Sequence, residues 1–305
     1  MAKSSAAKSK KKPADSTAHG AKAPQKAVAA EVKAGTPVKA TAPGRTSGLF
    51  ARIGRGFNRE LTPQSLLAEL GGTFILVSSV LFTSGDAFFT GLTVLVLAAG
   101  IFAISGAHLN PAVTFALWAG RSISIYRALL YWVAQFVGAI AAIVLVNLFS
   151  GATYDLSLAS FWQFDAKIFF AELFGTAVFL FGLAAAVNRN QTDLSRAAGI
   201  GLSLFLGLVI ATGLLSKAVQ GVTQTATGDN TSQSRLEKVN SVALNPAVAL
   251  ALTERDSQSS LTSNEDAQKE TPASRLTIEV IFGTFLGGAA GLYLYRLLSR
   301  SSARS

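Results

Sequence analysis

The word LNPAV occurs twice in this 305-residue chain, at 109–113 and at 244–248, both times inside apolar sequence. Proline lacks a backbone N–H and clashes with the preceding turn, so it breaks a helix interior but suits a helix's first turn. Asparagine just before it is a favoured N-cap. Each word therefore predicts a helix that begins at Pro111 or Pro246, capped by Asn110 or Asn245, in the middle of a hydrophobic region. A helix needs about 20 apolar residues to cross a bilayer. The stretch 88–119 is too long for one crossing and too short for two, so it parses as a span at 88–104 followed by a re-entrant half-helix from Asn110. The run 242–252 is too short to cross and reads as a second half-helix.

The rest of the chain fits the same solvent. Half of the residues are hydrophobic and 14% are charged, the profile of a multi-span membrane protein. Full spans are predicted at 66–83, 128–149, 168–187, 197–215 and 276–297, which with 88–104 makes six. Polar insertions precede and follow the second half-helix, at 221–238 and 253–274. There are no cysteines and only two histidines, His19 and His108. Thiolate chemistry is excluded, and a histidine-built metal site or a Ser-His-Asp hydrolase has almost nothing to draw on. Neither a phosphate-binding loop nor a dinucleotide fingerprint is present. The sequence therefore gives no support for an enzyme, and neither cofactor nor metal is expected.

A second word recurs beside the first. AELGGT, at 68–73, opens span one, and AELFGT, at 171–176, opens span four. Each half thus holds an AEL-x-G-T helix, a second span, an LNPAV segment and a third span. The first repeat covers about 62–150 and the second about 166–298. Three full spans per repeat is an odd number, so the halves must sit upside down relative to each other. Inverted repeats with broken helices place their site near the bilayer midplane, where the halves meet. The fold class expected is an all-α membrane protein of six transmembrane helices and two re-entrant half-helices in an inverted repeat.

Non-helical backbone at membrane depth is tolerated where it lines a cavity or is buried in protein. The carbonyls of Gly106, Ala107 and His108, and those of Ser241, Val242 and Ala243, would then face a narrow lumen as a file of acceptors. The side-chain amides of Asn110 and Asn245 would supply donors at its midpoint, and the converging helix N-termini would repel cations.

On these residues the sequence resembles the major intrinsic protein family, the aquaporins and glycerol facilitators. SGAHLNPAV at 105–113, the paired AEL-x-G-T words and YRALLYWVAQFVGAIAA at 126–142 carry the resemblance, over roughly 62–300. It implies one pore per monomer for water or small neutral solutes, in a membrane-embedded homotetramer. It makes Asn110, Pro111, Ala112, Asn245, Pro246 and Ala247 the pore centre. Glu69 and Glu172 would accept hydrogen bonds from the re-entrant loops and brace them; the alternative for each is an interfacial, snorkelling glutamate. His108 would pack within its loop, Gln135 would bond between helices, and Gly283, Gly287 and Gly291 would form a close-packing ridge.

One position departs from the family. The arginine that usually follows the second Asn-Pro-Ala is replaced by Val248, and the aspartate that glycerol facilitators place next is Ala249. Motif matching puts the remaining constriction residues at Thr90, Leu208 and Val242. Such a filter has no charge and at most one hydroxyl. Arg235 or Arg255, from the insertions, would be candidates to fold back into the mouth. The selective solute stays open, as does a poorly conducting structural or adhesive protein on the same fold. Secondary transport lacks coupling residues.

The excess positive charge is confined to one end. Residues 1–59 hold 13 of the 27 Lys/Arg, against Asp15 and Glu31 alone. With few large apolar residues, 1–48 is expected to be disordered, within a basic cytoplasmic tail reaching to 61. Residues 49–61 read either as a short amphipathic surface helix or as a linker. Lysine-rich sequence can tether to anionic lipid head groups, bind nucleic acid non-specifically, or remain solvated without a partner. Asn230-Thr231-Ser232 matches a glycosylation sequon without other support. Arg121, Arg127, Arg189, Arg196, Arg296, Arg300 and Arg304 all fall on the tail's side, which by the positive-inside rule makes both termini cytoplasmic in a plasma-membrane protein.

Overall fold

The computed structural model describes residues 57, 60–150, 156–189, 192–225, 235–239, 241–254 and 273–301. The basic tail 1–48, the sequon at 230–232 and Arg255 lie outside the described residues. Among the described residues the secondary structure is helical apart from isolated bridges, Ser157 with Ala273 and Thr253 with Ser274.

The first repeat is built from α1 (Pro63–Phe82), α2 (Ala87–Ser105), the half-helix α3 (Pro111–Ala119) and α4 (Ile125–Ser150). The second is built from α5 (Ala166–Asn188), α6 (Asp193–Thr225), a single turn α7 (Arg235–Lys238), the half-helix α8 (Pro246–Ala251) and α9 (Ile278–Ser301). Six of these, α1, α2, α4, α5, α6 and α9, are long and apolar enough to cross a membrane. Local chemistry explains their starts. Thr62 and Ser65 form a reciprocal capping box ahead of Pro63. Asp86 accepts from the backbone of Phe88 and Phe89, and Asp165 from that of Lys167 and Ile168.

Packing repeats with the sequence. α1 packs on α4 as α5 packs on α9, and α1 meets α2 as α5 meets α6. Each half-helix crosses to the other repeat: α3 lies against α9, and α8 lies against α4. The two halves also join through α2 and α6, where Gly91 and Gly201 face each other. A Cβ built on Gly91 would come within 2.9 Å of the Gly201 carbonyl, so the backbones touch because neither residue has a side chain. The ridge on α9 works the same way: side chains at Gly283, Gly287 and Gly291 would collide with the carbonyls of Phe169, Leu173 and Ala177 on α5.

The chain folds back twice. α2 ends at Ser105 on the face that carries the α3–α4 and α5–α6 turns, here the turn face. Residues 106–109 re-enter the bundle, and α3 returns to the same face. From α6 and α7, on the opposite insertion face, residues 241–244 re-enter and α8 returns there.

The structure differs from the sequence expectation in several places. Span five is longer than 197–215: α6 continues to Thr225, because nothing in SKAVQGVTQT breaks a helix once it is nucleated. The second half-helix is shorter than 242–252, with residues 241–245 outside it and only Pro246–Ala251 helical. Arg296 is not in a loop after span six. It lies within α9, 2% exposed, and donates to the Gly120 carbonyl and Ser122 Oγ, both at 3.1 Å. A cation there complements the carbonyl end of α3. Most of 49–61 lies outside the described residues, but Phe57 is buried, with its ring 5.4 Å from that of His108.

Candidate functional site

The two re-entrant strands meet head to head at the asparagines. Asn110 Oδ1 accepts the Ala112 N–H at 2.7 Å, and Asn245 Oδ1 accepts those of Ala247 and Val248 at 3.0 and 3.4 Å. Each side chain therefore caps its own half-helix. Each amide nitrogen also reaches across to the opposite repeat: Asn110 Nδ2 donates to the Leu244 carbonyl at 2.8 Å, and Asn245 Nδ2 to the Leu109 carbonyl at 2.9 Å. A carboxamide nitrogen has two N–H groups. One is committed in each case, and the second is available to whatever lies between the half-helices.

The strands leading to the asparagines hold an unusual backbone. Ala107, Leu109 and Leu244 have φ of 46°, 52° and 50°, beside Gly106 at 90°. Left-handed geometry at a residue with a Cβ costs about 1–2 kcal/mol, so these strands need anchors. Glu69 and Glu172 supply them. Glu69 accepts the His108 and Leu109 N–H groups at 2.9 and 2.7 Å and the Gln135 amide at 2.9 Å. Glu172 accepts the Ala243 and Leu244 N–H groups, both at 2.8 Å. Both carboxylates are fully buried, so the snorkelling alternative does not describe them. His108 Nδ1 lies 3.1 Å from Thr114 Oγ1, and its ring packs edge-on against Tyr131.

With the N–H groups held by glutamates on one side, the carbonyls turn to the other. Those of Gly106, Ala107, His108, Val242 and Ala243 accept no hydrogen bond from the described residues, although all five residues are buried. Buried carbonyls are almost always paired, with protein or with water. A row of them is left without protein partners on both strands, next to an uncommitted amide N–H on each asparagine.

The four positions that motif matching assigned to a constriction come from different elements. Thr90 lies in α2, Leu208 in α6, Val242 on the re-entrant strand and Val248 in the first turns of α8. All are buried, and Leu208, Val242 and Val248 belong to one cluster of apolar side chains. The Thr90 hydroxyl donates to the Asp86 carbonyl of its own helix at 2.7 Å, which leaves it acceptor capacity alone.

Arg235 is held by two carboxylates. Its Nε pairs with Glu254 at 2.8 Å and its Nη1 with Glu279 at 2.5 Å. Instead, a residue that sequence reasoning missed approaches the second strand. Arg275, 1% exposed, donates through Nη1 to the Ser241 carbonyl, and its Nη2 lies 3.6 Å from Glu172 Oε1. Burial lowers its pKa, against the upward pull of Glu172, with smaller contributions from Glu254, Arg235 and Glu279; a guanidinium nonetheless stays protonated at neutral pH. Phe57 was also missed. It packs on Phe102 and His108, and its carbonyl accepts from Arg127 Nη1 at 3.2 Å. Neither contact has a local sequence signal, since both join residues far apart in the chain.

Comparison with known proteins agrees with this geometry. Residues 61–222, more than half of the chain, match the sequence model of the major intrinsic proteins. Aquaporin-1 of Homo sapiens is 39% identical over 130 residues, covering 40% of this chain and 47% of that protein, so the chain spans about half the length of that relative. Aquaporin Z of Photorhabdus laumondii is 32% identical over 191 residues, covering 53% of this chain and 82% of that protein. A solved aquaglyceroporin from Plasmodium falciparum matches 78% of this chain and 95% of its own at 17% identity and a TM-score of 0.45, too distant to add to the assignment. With six membrane-crossing helices, two half-helices and asparagine caps facing each other across an inverted repeat, the chain belongs to the major intrinsic protein family.

Proposed function

We propose that this protein is a passive transmembrane channel for water and small uncharged solutes. The observation that carries this reading is the row of buried, unpartnered carbonyls at 106–108 and 242–243, which ends at the free N–H groups of Asn110 and Asn245. A water molecule moving along such a file exchanges one acceptor for the next and turns to accept from the asparagines at the centre. Alternating acceptors and a fixed central donor suit neutral, hydrogen-bonding molecules. α8 is only six residues long, so the positive potential at the centre comes more from α3, which has nine.

Thr90, Leu208, Val242 and Val248 form the constriction in this reading. Apolar walls with one acceptor favour solutes less polar than those a charged filter selects. The names of the curated relatives, aquaporins, support the same solute class. Both termini lie on the cytoplasmic side of the plasma membrane, where the turn-face arginines gather. The chain assembles as a homotetramer, as its family resemblance implies, with residues 1–61 as a basic tail ahead of the 62–300 channel domain. The tail tethers to anionic head groups at about 1 kcal/mol per Lys or Arg near the surface.

One observation favours the poorly conducting alternative. Phe57 packs against Gly106 and His108, where the first strand enters the bundle. Reswelling of proteoliposomes in urea, glycerol and formamide separates the readings. A channel raises at least one solute's uptake well above that of protein-free vesicles; uptake equal to protein-free vesicles for every solute and for water would leave the structural role.

A further inference from the structure

We propose that Arg275 is the charge-selecting residue of the insertion-face constriction, supplying the cation that no residue of the half-helix α8 provides. The inference rests on the channel reading above. Thr90, Leu208, Val242 and Val248 are all uncharged, so any electrostatic barrier at this height must come from elsewhere.

The position of Arg275 is fixed by backbone, not by a flexible loop. Its N–H donates to the Leu252 carbonyl at 2.8 Å, just past the last turn of α8. The neighbouring Ser274 Oγ reaches the carbonyls of Ala249 and Leu250, at 3.2 and 2.9 Å. The segment is therefore tied to the insertion-face end of the half-helix, which rises about 9 Å over its six residues. From that end the side chain runs back to Ser241, the first residue of the re-entrant strand, and donates to its carbonyl. The next two carbonyls along that strand, Val242 and Ala243, are the open acceptors of the file. The guanidinium thus sits where the file begins.

Three carboxylates and a second arginine surround this cation, and Arg275 is the member of the group that reaches the Ser241 carbonyl. Glu254 and Glu279 are taken by Arg235. Glu172 faces Arg275 at 3.6 Å and also accepts backbone N–H groups of the same strand through both oxygens, so the guanidinium is held between this carboxylate and the Ser241 carbonyl. Arg275 Nε and Nη2 have no hydrogen-bond acceptor among the described residues, although the side chain is buried. A buried guanidinium with unfilled donors is costly to keep, and at this site its field falls on the mouth of a narrow, low-dielectric path. It opposes cations and leaves neutral solutes free to pass.

The test is the ratio of methylammonium uptake to water flux in proteoliposomes, with the full chain. The wild type should show a low ratio. Arg275→Gln keeps a donor for Ser241 and removes the charge, and should raise the ratio about tenfold or more. Arg275→Lys should hold it near the wild-type value, and adding Val248→Arg to Arg275→Gln should bring it back down. An unchanged ratio in folded, water-conducting R275Q overturns the proposal while leaving the channel reading intact. Should R275Q fail to fold, the wild type still decides: free passage of methylammonium through it overturns the proposal. A wild type that conducts neither water nor any neutral solute removes the channel reading, and this proposal with it.

Discussion

Replacing Glu69 by glutamine exchanges one carboxylate oxygen for an NH2 group and should loosen one strand of the candidate pore. The carboxylate accepts three hydrogen bonds, from His108 N–H at 2.9 Å, Leu109 N–H at 2.7 Å and Gln135 Nε2 at 2.9 Å. Glutamine has one accepting atom and one donating group in the same space. If its oxygen faces Leu109 and Gln135, its NH2 points at the His108 N–H, donor against donor. The reverse orientation loses two bonds. The smallest loss is one charge-assisted bond and one buried N–H left unsatisfied, about 2 kcal/mol. That corresponds to about a 30-fold rise in local opening. The strand has little to offset it, because Ala107 and Leu109 are already held in left-handed geometry. Hydrogen exchange in nanodiscs, resolved to the 105–113 peptide, reads the effect. His108 and Leu109 should exchange about 30-fold faster in E69Q, while Ala243 and Leu244, held by Glu172, should not change. Wild-type exchange at His108 and Leu109 in a folded E69Q protein would refute the bracing argument.

Three further outcomes follow from the same geometry. Asn110→Ser keeps an N-cap but loses the donor to Leu244, so water flux should fall several-fold with helix content by circular dichroism unchanged. Gly201→Leu should prevent recovery of a monodisperse protein in detergent, since even a Cβ there meets Gly91 and Leu95 backbone, whereas Gly100→Leu, with nothing within 4 Å, should behave as wild type. Arg296→Ala removes two hydrogen bonds at the end of α3 and should lower the thermal midpoint in detergent, reflecting a loss of about 2–3 kcal/mol, with no matching change from the exposed Arg121.

Much of the fold is written locally. An asparagine followed by proline specifies where a helix begins whatever surrounds it, and α3 and α8 start at Pro111 and Pro246 for that reason. The apolar runs mark the spans because a bilayer imposes a length. The AEL-x-G-T words sit at equivalent places on α1 and α5, and their glutamates reach equivalent backbone N–H groups in the two strands. Where helices end is less legible. α6 runs on through polar residues to Thr225, since helix continuation is cheap and the insertion face imposes no apolar limit.

The parts of the site that escaped the sequence are those made by distant partners. Arg235 and Arg255 are the arginines nearest in sequence to the second half-helix, but Arg235 is captured by Glu254 and Glu279. Arg275 reaches Ser241 across 34 positions, brought there by Ser274 folding onto the end of α8. Phe57 reaches His108 from outside the helical bundle's own sequence, held by Arg127. No periodicity or motif encodes either contact, because each depends on where two separate re-entrant strands finally lie.

The proposed function stands or falls on conduction along the carbonyl file. Stopped-flow light scattering on proteoliposomes under an impermeant osmotic gradient, against protein-free vesicles of the same lipid, tests it most directly. Shrinkage should be clearly faster than in the protein-free control and proportional to the amount of inserted protein. Shrinkage equal to the control for urea and glycerol as well as water, with the protein shown to be folded and inserted, would contradict it.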